Sequence, residues 1–289
     1  RGRVIGTYNA IRLFSGALGS MLAGWLFVQF GFWAPNLLLI LVTLASFNLL
    51  NRPRTDTAGS APAPAGGYRI LMHDLPLQAL AAFRICYAFA VMMVRTFVPI
   101  YAGLVLGFNA FQVGVIIAAE QAVNMTFQRF GGSLSDRFGR MPLIAIGAGG
   151  YAVAAFFLPS QQAFAGLVAA NALLGLTDAL REPASMALYA DRGKERGGIS
   201  SAFAIREMLW RPGSILGPGL GGALMAARDI TLVFQVGAGF AVLGLVSMGL
   251  RLGMQKYRRR RSLEPPNLGH GPQGNQDRRS HGQRSQADR

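Results

Sequence analysis

The sequence is poor in charge, in acids and in cysteine. Only 14% of its 289 residues are charged, against roughly 25% in an average soluble domain. Cysteine occurs once, as Cys86, which excludes an intramolecular disulfide and with it a disulfide-stapled secreted scaffold. The three histidines, His73, His270 and His281, fall in a linker or the tail. No Ser/His/Asp set, metal-ligand spacing or phosphate-cradling glycine loop is placed where it could act. The 13 acids are too scattered for a two-carboxylate hydrolase site. Catalytic residues, a metal and a cofactor are therefore not expected, and the chain reads as no enzyme. The net charge of +15 alone suggests a nucleic-acid partner. The basic residues, however, sit between and after long apolar runs, so no nucleic acid is expected.

Apolar residues make up 52% of the chain, with a mean hydropathy of +0.34. A hydrocarbon core of ~30 Å needs about 20 mostly apolar helical residues. Eight runs qualify: 7–27, 31–50, 79–107, 111–130, 141–160, 163–188, 200–226 and 230–253. The third is long and should bend at Pro99. Basic residues fill every second loop. Arg1 and Arg3 precede the first run, and Arg52, Arg54 and Arg69 follow the second. Arg129, Arg137 and Arg140 follow the fourth, Arg192, Lys194 and Arg196 the sixth, and the tail from Arg251 onward carries ten Lys/Arg, Arg251 included. The intervening turns carry at most Arg228. That alternation predicts a multi-pass protein of the cell membrane with both chain ends cytoplasmic. Membrane lipids are its expected surroundings, and Lys256–Arg261 should meet anionic headgroups or simply anchor the last span. Thr57–Gly67 reads as a flexible linker, Tyr68–Gln78 as a short interfacial helix, and 255–289 as disordered.

The most specific motif is Gly131-Gly132-Ser133-Leu134-Ser135-Asp136-Arg137-Phe138-Gly139-Arg140, read as a short cytoplasmic turn. Asp136 there can accept bonds at a helix start. The segment resembles the G-x-L-x-D-R-x-G-R signature of the major facilitator superfamily through Gly132, Leu134, Asp136, Arg137, Gly139 and Arg140. The resemblance implies an all-α polytopic transmembrane helical bundle. It also implies that the eight spans match the family's helices five to twelve. On that reading 1–50 holds the last two helices of the N-terminal half-bundle and 51–78 the central cytoplasmic loop. Residues 79–254 form the C-terminal six-helix half-bundle, and 255–289 the tail. The chain opens on Arg1, and an N-terminally truncated protein missing its first four helices is expected; such a fragment could be inactive by itself. By the family's symmetry Asp136 should cap the first span near Thr7.

Gly213, Gly217, Pro218, Gly221 and Gly222 form a second pattern, spaced to let two membrane helices approach closely. It matches the family's G-x-x-x-G-P-x-x-G-G antiporter signature, here on helix eleven rather than five. Helix five carries Gly16, Gly19-Ser20 and Ala23-Gly24 without the proline. Ala10-Ile11-Arg12 with Gly19-Ser20 recurs as Ala204-Ile205-Arg206 with Gly213-Ser214, a weak trace of two parallel repeats.

Ionisable residues inside spans are costly and mark pathways. Arg95 and Glu120 lie at similar depth on adjacent helices and should pair. Gln121 and Asn124 extend Glu120 into a polar stripe facing a cavity. Asp178, Arg181 and Glu182 on one helix match Arg206, Glu207 and Arg211 on the next, and crossed pairs should form a lock or gate. Glu120 and Asp178 are equally open to a structural and a proton-coupling role. Arg95, Glu120, Gln121, Asn124 and Asp178 thus outline a substrate and proton pathway. The resemblance implies secondary active transport of a small organic solute by alternating access, proton-coupled and pointing to drug or metabolite efflux. Metabolite uptake stays open, as does a non-transporting sensor or intramembrane enzyme, which would pack its centre tightly.

Overall fold

The computed structural model describes residues 2–50, 70–71 and 74–263. Eight long helices run through them: α1 (Gly2–Phe30), α2 (Trp33–Leu50), α3 (Leu75–Ile100), α4 (Ala110–Phe138), α5 (Arg140–Phe157), α6 (Phe164–Arg192), α7 (Ile199–Ala227) and α8 (Ile230–Leu263). No strand occurs among the described residues. The protein is an all-α bundle, and each helix covers one expected apolar run. Two compact units divide the chain, Arg1–Leu252 and Gly253–Arg289.

Among the described residues, four stretches are long and apolar enough to cross a membrane: Pro76–Val105, Arg140–Ser160, Phe164–Glu195 and Ile230–Arg251. The described apolar parts of α1 and α2 are shorter. The polar residues of α4 and α7 set those two helices apart, and they prove to line a cavity. α2 exposes Trp33, Leu37, Leu39, Ile40, Leu41, Val42, Leu44 and Phe47. A helix that is apolar around its circumference belongs in lipid or against more protein.

Local chemistry fixes the helix ends. Tight turns lie at Gly31, Gly107, Gly139 and Gly198, all with φ between +72° and +89°. Only glycine adopts that backbone without strain. Asn109 starts α4 with a reciprocal cap: its Oδ1 accepts from Gln112 N at 2.9 Å, and its own N donates to Gln112 Oε1 at 3.0 Å. Pro99 cannot donate to the carbonyl four residues back. Soon after it, α3 gives way to a π-helical turn over Tyr101–Val105, in place of the expected continuous run to 107.

Two expectations need correction. The glycine-rich signature is not a turn; Gly131 to Phe138 complete α4, and only Gly139 turns the chain. Gly131 belongs in the helix because its missing side chain lets α4 lie against the backbone carbonyl of Ala179 on α6. The disorder expected from 255 gives way to helix as far as Leu263. Five of the six residues of Lys256–Arg261 are the good helix formers Lys and Arg, and cations are favourable near a helix C-terminus. Of the proposed interfacial helix, Leu75–Gln78 form the first turn of α3 instead of a separate element; the linker 51–68, residues 69, 72 and 73, and residues 264–289 lie outside the described residues.

Close backbone contacts set which helices touch. Gly175 of α6 lies against the Glu120 carbonyl of α4, and Gly24 of α1 against the Ala110 carbonyl of α4. Gly213 of α7 lies against Ala88 of α3. Buried Tyr87, Tyr151, Tyr189, Phe83 and Phe234 form the aromatic core between α3, α5, α6 and α8.

Candidate functional site

α3, α4, α6 and α7 surround a cavity of about 910 Å³. α3 contributes Arg84, Met92, Arg95 and Val98, and α4 contributes Ile117, Glu120, Gln121, Asn124 and Gln128. From α6 come Asn171, Asp178, Arg181 and Glu182, and from α7 Phe203, Arg206, Glu207 and Trp210. The polar stripe of α4 faces this space, as its spacing requires. Four arginines meet four acids here, in helices whose other faces are apolar.

Arg95 is the junction. Its Nη2 donates to Glu120 Oε1 at 2.6 Å and to Asp178 Oδ2 at 3.1 Å, and its Nε donates to Glu120 Oε1 at 2.9 Å. One guanidinium on α3 therefore ties α4 and α6 together. Asp178 is the most heavily bonded acid. Its Oδ1 accepts from the Tyr87 hydroxyl at 3.0 Å and from Arg181 Nε and Nη2 at 3.1 and 2.9 Å. The Arg181 guanidinium also stacks on the Tyr87 ring, 4.2 Å from its centroid. Both acids are buried, whereas the Arg95 side chain is 40% exposed.

The chain of charges continues through Arg181. Its Nη2 lies 2.9 Å from Glu182 Oε2, and Glu182 Oε1 accepts from Arg206 Nη2. Arg206 Nη1 donates to Glu207. Arg84 lies at longer range, 3.6 Å from Glu182 and 3.9 Å from Glu207, with its guanidinium 4.5 Å from the Trp210 ring centroid. The two clusters read separately in the sequence are one network, joined at Asp178. Removing one partner of such a buried pair costs about 3–5 kcal/mol, so the network also holds α3, α4, α6 and α7 in register.

Arg211 is not part of this site; it is exposed and lies outside the lining. Its separation from Arg206 turns it to another face of α7. In the glycine pattern, Gly213, Gly217 and Gly221 form a seam along α3, facing Ala88, Met92 and Phe97 in turn. Gly222 meets no described atom within 4 Å, so it is not a packing glycine among the described residues. Pro218 is half-buried within an unbroken α7. A Cβ added at Gly132 would lie 3.8 Å from the Pro183 Cβ on α6, an ordinary van der Waals contact. Asp136 and Arg137 are exposed at the end of α4, while the side chain of Thr7 lies outside the described residues. Arg140 Nη1 donates to the carboxylate of Asp191 and to the Ala187 carbonyl, the latter at 2.8 Å.

Sequence reasoning passed over Asp191, Trp210 and buried Asp74. Arg192 lies 3.8 Å from Asp74 and 3.0 Å from Glu195. Asp74 and Asp191 carried a usable signal, being acids beside basic loops. Trp210 carried none, because a tryptophan in an apolar run reads as packing.

The sequence profile of the Major Facilitator Superfamily matches residues 1–160 and 80–277. This chain belongs to that superfamily, and is a multi-pass membrane protein. Among its relatives is the uncharacterized MFS-type transporter YqjV of Bacillus subtilis, 33% identical over 162 residues, which are 56% of this chain and 38% of that protein. The multidrug efflux pump LfrA of Mycolicibacterium smegmatis is 38% identical over 124 residues, 42% of this chain and 24% of the pump. The quinolone resistance protein NorA of Staphylococcus aureus is 26% identical over 141 residues, 49% of this chain and 36% of that protein. The matched stretch thus spans well under half the length of each relative.

Proposed function

We propose that this chain forms part of a secondary transporter that exports a small organic solute by alternating access, driven by protons. The observation that carries the reading is Arg95 shared between the buried acids Glu120 and Asp178 at the wall of a cavity. Two carboxylates on different helices compete for one guanidinium. A proton on Glu120 removes its charge and weakens its two bonds from Arg95, which then turns fully to Asp178. The tie between α3 and α4 loosens while that between α3 and α6 tightens. Proton uptake is thereby converted into a change of helix contact, the kind of bistable element that alternating access needs. Arg181, Glu182 and Arg206 hold α6 to α7 as a lock.

The cavity volume suits a drug-sized solute, for which pockets run about 300–1,000 Å³. A sensor or intramembrane enzyme built on a packed bundle has no use for such a space lined by eight charged residues. The export direction draws on the printed names of LfrA and NorA. The basic loops support a cell-membrane protein with both chain ends cytoplasmic.

The test is transport in vesicles by the protein as its gene encodes it, wild type against Glu120→Gln. An imposed pH gradient should drive wild-type flux and should fail to drive the variant, while solute exchange without a gradient persists. Gradient-driven flux at the wild-type rate in Glu120→Gln would remove Glu120 from the coupling site.

A further inference from the structure

Arg84 has a role that the proton-coupling reading does not use. Its side chain is 4% exposed, yet Nε and Nη1 have no hydrogen-bond partner among the described residues. The acids nearest to it, at 3.6 and 3.9 Å, are beyond hydrogen-bonding distance. A buried guanidinium with unmade bonds is costly. The Arg84 guanidinium lies over the Trp210 ring, 4.5 Å from the centroid, so one face is covered by an apolar surface that accepts none of its N–H groups in the ordinary way. Arg206 lies beside it, with Nε also unpartnered.

Two acids lie between these two arginines, the deeper Glu182 and the more exposed Glu207. The Glu207 carboxylate bonds Arg206 Nη1 and approaches Arg84 Nη2, but its side chain is 59% exposed. The deeper acid of the cluster, Glu182, is 18% exposed and also tied to Arg181. Glu207 is therefore the acid that can swing away at least cost, since its carboxylate already faces water. Without it, Arg84 and Arg206 keep only Glu182, and the subsite gains a surplus positive charge at the cavity wall.

We propose that this subsite binds a carboxylate of the transported solute, paired with Arg84 and Arg206 beside Trp210, and that Glu207 holds the carboxylate's place between transport cycles. One carboxylate replaces another, so the charge of the site is unchanged on loading. The Glu182–Arg206 contact, made through the other terminal nitrogen, survives the exchange. A solute whose acid is masked as an ester cannot displace Glu207. This substrate preference rests on the transport reading above and adds to it.

The experiment compares a fluoroquinolone carboxylic acid with its own ethyl ester, in proteoliposomes carrying the protein as its gene encodes it. The acid should be transported with a KM about tenfold below the ester's, the worth of one charge-assisted pair. Glu207→Gln removes the internal competitor on an exposed side chain, so it should lower the acid's KM several-fold relative to the ester's. Arg84→Gln should abolish the preference, with continued ester transport showing that the variant is folded. Equal handling of acid and ester, or a raised KM for the acid in Glu207→Gln, overturns this proposal and leaves the transport reading standing. Transport of neither compound overturns the export reading and this proposal with it.

Discussion

At the scale of single residues, Glu120 and Asp178 share Arg95 but are held very differently. Asp178 accepts from Tyr87, Arg181 and Arg95 together, whereas Glu120, among the described residues, accepts from Arg95 alone. Asp178→Asn leaves Arg181, which is 2% exposed, short of one of its two paired acids and of the only one that it hydrogen-bonds through both Nε and Nη2 among the described residues. We predict a loss of about 3–5 kcal/mol, seen as a large drop in unfolding temperature in detergent. Glu120→Gln leaves Arg95 on Asp178 and half in solvent, and should cost about 1 kcal/mol. Equal drops for the two variants would show that Asp178 is not the keystone of the network. The Arg95–Glu120 pair was legible in the sequence, because adjacent helices joined by a short turn put residues equally far from that turn at equal depth. The Arg95–Asp178 bond was not. It depends on how α6 lies against α4, and that is set by Gly131 and Gly175 meeting backbone carbonyls, which spacing along one helix does not reveal.

At the scale of helices, small residues decide the contacts. Gly213 is pressed against Ala88 and the Phe89 backbone nitrogen, so a Cβ there would collide with main chain. Gly219, on the same helix, meets no described atom within 4 Å. Gly213→Ala should therefore destabilise by about 1–3 kcal/mol through overpacking. Gly219→Ala should be neutral or gain up to about 1 kcal/mol from helix propensity. Thermal unfolding of the two variants checks this, and equal behaviour would deny the α3–α7 seam. The seam was partly legible: the four-residue spacing of Gly213, Gly217 and Gly221 announced a close approach, but not that α3 receives it. The signature around Asp136 was legible as a motif and misread as a shape. Glycines usually mark turns, and here Gly131 and Gly132 continue α4 because α6 crosses beside them. The cost of a true turn falls on Gly139 alone, at φ +89°. Gly139→Ala is expected to destabilise by about 1 kcal/mol, since an L residue adopts that conformation poorly. A stability at or above wild type would contradict the turn.

At the scale of the whole molecule, the net charge of +15 is carried by residues outside the cavity, because Arg84, Arg95, Arg181 and Arg206 are balanced by Glu120, Asp178, Glu182 and Glu207. The excess is concentrated in alternate loops, the pattern from which we predict cytoplasmic chain ends. The bundle's surroundings favour Lys and Arg on the cytoplasmic side by insertion energetics, whatever the cavity does. The orientation can be read by labelling. In a Cys86→Ser background, cysteines replacing Leu104, which is 79% exposed, or Ser160 should react with an impermeant maleimide in intact cells. Cysteines replacing Arg137 or Lys194 should react only after the membrane is opened. The two sets lie at opposite ends of α4, α5 and α6, so one bundle cannot present both to the same side. The reverse labelling would place the Arg140–Asp191 contact outside the cell, in a loop system whose arginines would then oppose the rule that orients membrane helices. Labelling as predicted fixes direction within the cavity too. Arg84 lies nearer the start of α3 than Arg95 does, so the carboxylate subsite would face the cytoplasm and the shared-arginine acids would lie deeper. A solute leaving the cell would then meet the arginines first and the proton-binding pair second, which is the order an exporter needs if loading is to precede the exchange of protons.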